Sequence, residues 1–193
     1  MTKHYLLPPT TLTRDGEPRM AGFEFEFGNL PIEPTAQALQ SVLGGRLEVR
    51  SPFEAVLHDS ELGRLKVERD AEILKSVRYR KWLSQLGVEF EPGSIAHGIE
   101  ANIDNASSLL IPGEVVTAPL RFDQLHLLDK LVNTLGELGA QGTQDSLVYA
   151  FGMHINPRIP SEDPGTLRRY LQAFLLLHDW IIESSGIDIT RRF

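Results

Sequence analysis

The sequence predicts an α+β domain with an antiparallel or mixed sheet, curved, and helices packed on one of its faces. Three observations carry this: short alternating runs with period two, tight turns between them, and a few longer stretches with apolar residues at helical spacing. Strands joined by short turns favour antiparallel pairing, and an antiparallel sheet can leave one face open to solvent.

The clearest strand is the first. Gly22-Phe23-Glu24-Phe25-Glu26-Phe27 alternates strictly, so a strand is expected over about 21–28. Phe23, Phe25 and Phe27 fall on one side and call for a core, while Glu24 and Glu26 fall on the other. The two glutamates are roughly 7 Å apart along the strand. They repel unless a cation or solvent lies between them, which is how oxygen ligands are presented to Mg²⁺ or Mn²⁺. Taken alone, this short pattern fits an ordinary exposed strand face better.

Residues 1–20 read as an irregular lead-in rich in Pro, Thr and charge, and residues 21–193 as the domain itself. Thr35 to Leu43 is expected to be helical through Ala36, Leu39 and Leu43, with Gly44-Gly45 as its stop. Arg46 to Arg50, Glu54 to Asp59 and Arg64 to Arg69 alternate as three strands, turned by Ser51-Pro52 and Glu61-Leu62-Gly63. A helix is expected from Ala71 to Leu86, capped by Gly87, and loops with a short strand over 88–113. Glu114 to Pro119 reads as a strand. Asp123 to Leu138 reads as an amphipathic helix with Leu125, Leu128, Leu131, Val132, Leu135 and Leu138 as its stripe. Ser146 to Ile155 is a largely apolar strand. Asp163-Pro164 then caps a helix to about Ser184, with Leu167, Leu171, Phe174, Leu175, His178 and Ile182 along it.

Composition narrows the class. In 193 residues, 41% hydrophobic and 23% charged are ordinary for a globular domain. The longest apolar stretches fall short of a membrane span, and the first residues lack the apolar core of a signal peptide. No cysteine is present, which rules out disulfides, thiolate metal sites and a cysteine nucleophile and suits a reducing cytoplasm. The net charge of −7 argues against nucleic acid as a partner. The basic cluster from Lys75 to Lys81 reads as a solvated helix face, and Arg191-Arg192 as a solvated tail.

Further polar groups alternate on other strands. Lys66, Glu68 and Asp70 share a face, Glu114 opens an apolar run, and His154 and Asn156 stand opposite Met153 and Ile155. Each has an ordinary structural reading: a charged edge, a strand boundary, a satisfied strand histidine. Together with Glu24 and Glu26 they assemble one polar face from separate strands. Carboxylates with a single imidazole suit two or more Mg²⁺ or Mn²⁺ ions and not a structural zinc site.

The order Gly-Phe-Glu-Phe-Glu, Lys-x-Glu-x-Asp, Glu-Val-Val-Thr-Ala-Pro-Leu and Gly-Met-His-Ile-Asn resembles the amidoligase family over about residues 21–193. The resemblance implies the glutamine synthetase fold shared by carboxylate–amine ligases. It implies ATP-dependent formation of an amide or isopeptide bond through an acyl phosphate, with ATP and Mg²⁺ (or Mn²⁺) as cofactors. Gly22, Glu24 and Glu26 match the family's first motif, Glu114 and Pro119 another, and Gly152, His154 and Asn156 the last. Glu24, Glu26, Glu114 and His154 are the implied metal ligands, and Asn156 joins them in holding the nucleotide. Asp70 matches the position before a loop, as a metal ligand or as the group that takes a proton from the amine. Glu68 is the alternative to Asp70 in entering the site. Lys66 would offset phosphate charge or hold the substrate carboxylate. The substrates would be a small-molecule or peptide carboxylate and an amine, with no membrane partner and a homo-oligomer left open. The family pattern usually runs past Phe193, which leaves open a domain incomplete at its C-terminus. A metal-dependent hydrolase, or an inactive binding module on the same fold, are the competing readings.

Overall fold

The computed structural model describes residues 5–69, 112–140 and 152–184. The expected helix from Ala71 to Leu86, the 88–111 loops, Asp70, the cluster from Lys75 to Lys81, the start of the strand at Ser146 and Arg191-Arg192 lie outside the described residues.

Seven strands form one sheet among these residues: β1 (Met20–Phe27), β2 (Arg46–Ser51), β3 (Glu54–Ser60), β4 (Gly63–Arg69), β5 (Gly113–Thr117), β6 (Leu120–Arg121) and β7 (Met153–Pro157). The order is β2-β3-β4-β5-β1-β6, with β7 also on β1, and every pairing is antiparallel. The first strand of the chain therefore lies inside the sheet, between β5 on one side and β6 and β7 on the other. β5 inserts between β1 and β4 although some forty residues of sequence separate it from β4. No local periodicity encodes that placement.

Among the described residues there are three α-helices: α1 (Ile32–Leu43), α2 (Leu128–Glu137) and α3 (Pro164–Ser184). α1 begins three residues earlier than expected. Pro31 stands in the cap position with extended backbone, Pro34 falls in the first turn where its missing N–H costs nothing, and the Thr35 hydroxyl donates to the Pro31 carbonyl at 2.6 Å. Ile32, Thr35, Ala36, Leu39 and Leu43 are buried at helical spacing. They pack with Ala55, Leu57, Leu65, Val67 and Val115 of the sheet and with Leu131 and Leu135 of α2 in one core. Fully burying a Leu or Ile side chain contributes about 1.5–3 kcal/mol, so this stripe fixes which sheet face is covered.

The expected helix at Asp123 opens instead as a 3₁₀ helix over Phe122–Leu127, and α-geometry starts at Leu128. Here the Gln124 side chain accepts from the Arg121 N–H at 3.1 Å, tightening the first turn. Of its predicted stripe, Leu128, Leu131 and Leu135 are buried, but Val132 and Leu138 face solvent. The strand expected through Pro119 stops at Thr117, and Leu120–Arg121 pairs separately with the start of β1.

The largest departure is α3. Leu167, Leu171, Phe174 and Leu175, expected to lie against the sheet, are 48–65% exposed. Of the aromatic face of β1, Phe23 and Phe27 are buried while Phe25 is only partly covered. The lead-in is tied down by Arg19. Its side chain is 4% exposed, donates to the carbonyls of Arg158 and Thr10 at 2.7 and 2.5 Å, and lies over the Phe122 ring at 5.5 Å.

Candidate functional site

Sheet register turns scattered motifs into a two-row pattern on the face opposite the one that α1 and α2 cover. In the first row Glu26 pairs with Glu114, Glu114 with Glu68, and Glu68 with Glu54, so four neighbouring strands place glutamates side by side. In the second, His154 pairs with Glu24, Glu24 with Val116, Val116 with Lys66, and Lys66 with Val56. Directly opposed side chains have Cβ atoms about 4.5–5.5 Å apart, so like charges in the first row repel across the ladder.

Each carboxylate is handled differently. Glu54 meets Arg50 at 3.0 Å and Glu68 meets Lys66 at 2.6 Å. Nearby on β2, Arg50 and then His58 hold the Glu48 carboxyl below its usual range. On β1 the partners among the described residues include β7 side chains and backbone. Glu24 takes a hydrogen bond from the Asn156 amide at 2.9 Å and lies 2.9 Å from His154 Nδ1. Glu26 is largely enclosed, with its side chain 7% exposed, and accepts the Gly152 N–H at 2.7 Å. The Glu26 N–H donates back to the Gly152 carbonyl at 3.0 Å, so strand pairing sets the carboxylate's environment.

His154 stands between the two acidic residues of β1. Its Nδ1 faces Glu24 and its Nε2 lies 3.8 Å from Glu26 Oε1. A ring that gives one nitrogen to a carboxylate presents the other nitrogen to a ligand. Among the described residues, no three histidine, aspartate or glutamate side chains already stand together as a metal-binding group. The donor chemistry fits a hard divalent cation: carboxylate oxygens on adjacent strands with one imidazole among them.

The sequence-derived residues thus meet on one face in the cases of Glu24, Glu26, Glu114, His154, Asn156, Lys66 and Glu68; Asp70 lies outside the described residues. Lys66 sits two strands from Glu24 and is engaged with Glu68. Glu54 and the Gly152 N–H escaped the sequence reading. Glu54 opens its strand, and a boundary glutamate looks like a solvated end until register sets it beside Glu68. A backbone donor has no sequence signature at all. At the other end of β1, a cavity of about 510 Å³ is bounded by Met20, Gly22, Pro119 and the Ile155–Arg158 segment.

No helix among the described residues is long and apolar enough to cross a membrane. No curated protein and no solved structure matches the chain. One family model does, described as "Putative amidoligase enzyme", over residues 17–193. That span contains every strand and helix described above, and the chain belongs to the amidoligase family.

Proposed function

We propose that the protein is an ATP-dependent carboxylate–amine ligase of the glutamine synthetase-like fold, forming an amide or isopeptide bond through an acyl phosphate. The observation that carries this reading is the register Glu26–Glu114–Glu68 beside His154–Glu24. It concentrates carboxylates and one imidazole on a single face, in a family of ligases.

Glu24, Glu26, Glu114 and His154 would hold Mg²⁺ or Mn²⁺. When bound, such ions neutralise the charge of the triphosphate and of the phosphoryl group in transfer. An acidic face cannot accept ATP otherwise, since its carboxylates repel the phosphates. Asn156 fixes Glu24, and the Gly152 N–H fixes Glu26, so both carboxylates are oriented before a ligand arrives. The substrate carboxylate attacks the γ-phosphorus, ADP leaves, and the amine then displaces phosphate from the acyl carbon. Lys66, now paired with Glu68, would trade it for an anionic group of the substrate. Asp70 is the candidate to take the proton that the amine releases.

The test is ADP release with Mg²⁺ when amino-acid or peptide carboxylates are offered with amines, together with Mn²⁺ titration. The wild type should bind the ion and release ADP only with both substrates present. Glu24→Ala combined with Glu26→Ala should abolish both. Turnover without ATP would replace the ligase by a hydrolase, and ion or nucleotide binding with no ADP from any substrate pair would leave a binding module.

A further inference from the structure

α3 carries a large apolar surface that the described residues leave uncovered. Of its 21 residues only Thr166, in the first turn, is buried, and every residue from Leu167 to Trp180 is exposed. Apolar side chains fill much of that length: Leu167, Leu171, Phe174, Leu175, Leu176 and Trp180 are 48–84% exposed. A helix draws most of its stability from an apolar face packed against another surface, and a contiguous exposed patch of this kind marks an interaction site.

The charges on α3 indicate what covers it. Arg168 and Arg169 stand near its start, Asp179 and Glu183 near its end. The dipole of a single helix favours the opposite order. Arg168 and Asp179 are three turns apart, so they lie on the same edge of the helix, roughly 16 Å from one another. A second copy of the helix, running antiparallel, reverses the order: Arg168 of each copy comes level with the partner's Asp179, and the two-fold axis falls between Ala173 and Phe174. Asp179 is free to make that pair. Its side chain is 99% exposed and lies 3.1 Å from His178 Nδ1, a surface contact that is cheap to exchange. The same charges argue against a lipid surface, which selects helices whose polar side is rich in Lys and Arg; on α3 acids balance bases.

We infer that α3 is the interface of a homodimer, in which two copies pair α3 against α3, antiparallel, with Phe174 beside the axis and an Arg168–Asp179 pair at each end of the contact. A two-fold interface has to be self-complementary, the same patch meeting itself. α3 meets that condition twice, through an apolar stripe symmetric about Phe174 and through opposite charges at equal distances from the axis. Two pairs of opposite charge fix direction and register, while the apolar side chains supply the affinity. The inference stands apart from the ligase reading, since none of these residues belongs to the carboxylate face.

The experiment is analytical ultracentrifugation of the full chain over a range of micromolar concentrations, without metal or nucleotide. Phe174→Glu and Leu171→Glu place a charge in the stripe at exposed positions, and circular dichroism verifies that both variants fold. The expected result is a wild type that sediments as a dimer in a concentration-dependent way, and two monomeric variants. Arg168→Asp and Asp179→Arg should each weaken the dimer about tenfold, equivalent to about 1.4 kcal/mol, and the two combined should restore it. A monomeric wild type overturns the inference: the face is then covered by residues 70–111 of the same chain or by lipid, and flotation with vesicles of phosphatidylcholine and phosphatidylserine separates those two. A dimer insensitive to both glutamate substitutions overturns it as well, by placing the interface elsewhere. A combined swap no better than either single one overturns the antiparallel register.

Discussion

His154 faces Glu24 across the β1–β7 ladder with Nδ1 2.9 Å from the carboxylate, while its Nε2 looks towards Glu26 at 3.8 Å. On the proposed reading this pair sets the tautomer that makes Nε2 a ligand. Glu24→Gln should then lower Mn²⁺ affinity roughly 10–100-fold, the usual effect of disturbing a group that orients a ligand or ligates directly. Calorimetric titration of the folded variant measures it. Affinity equal to the wild type's would detach the His154–Glu24 pair from ion binding.

Glu114 lies between Glu26 and Glu68 in the carboxylate row. A cation bound there favours the folded state by mass action, by about 2.7 kcal/mol at a hundredfold excess over its dissociation constant. Thermal melts with and without Mg²⁺ should show that gain in the wild type and its loss in Glu114→Gln. A variant whose melting temperature still climbs with Mg²⁺ would place the ion elsewhere.

Gly113 is a packing glycine. A Cβ at this position would fall 2.5 Å from the buried Phe27 ring, which has little room to move at 2% exposure. Gly113→Ala should cost about 1–3 kcal/mol, as overpacking does, read from urea melts with an unchanged slope. Gly22→Ala on the same sheet should cost far less, and a reversal of that order would contradict the core packing described above.

Asp163 caps α3. It accepts from the Thr166 N–H at 2.9 Å and from the Ser161 and Thr166 hydroxyls, each at 2.7 Å. These bonds, that of Ser161 foremost, pull its carboxyl far below the usual carboxylate range. A depressed folded value means stability that is complete above the unfolded value, about 3.9, and lost as pH falls through the folded one. Asp163→Ala should therefore speed amide exchange in the first turn of α3 at neutral pH. In the wild type that protection should persist into acid that protonates ordinary carboxylates. Equal exchange in variant and wild type at neutral pH would mean that the cap does not hold the helix.

Much of the local structure was legible in sequence because it rests on local rules. Phe23 and Phe27 alternate with Glu24 and Glu26, and the two sets do take opposite faces; Asp163-Pro164 does begin a helix. The failures have physical causes. Val132 and Leu138 continue a helical stripe, yet they remain exposed, because periodicity alone does not set how wide a strip of the helix is covered. The apolar residues of α3 stay exposed although they lie at helical spacing, because periodicity reports which side of a helix is apolar, not whether a surface meets it. Register is the deeper gap. Glu54 and Glu68 look unrelated in sequence, and only strand pairing makes them neighbours.

The sequence by itself determined most of the strands, the start of α3, the sorting of carboxylates onto one side of each strand, and the motif order that resembles the amidoligases. Alternation with period two and turn chemistry are properties of a few consecutive residues, so they can be read locally. Tertiary structure alone decided that β5 inserts between β4 and β1, which sets Glu114 against Glu26, and that β7 pairs on the other side, which sets His154 against Glu24. Those contacts join residues about 90 and 130 positions apart. They depend on burying the helix-covered face as a whole, a requirement that no short stretch of sequence contains.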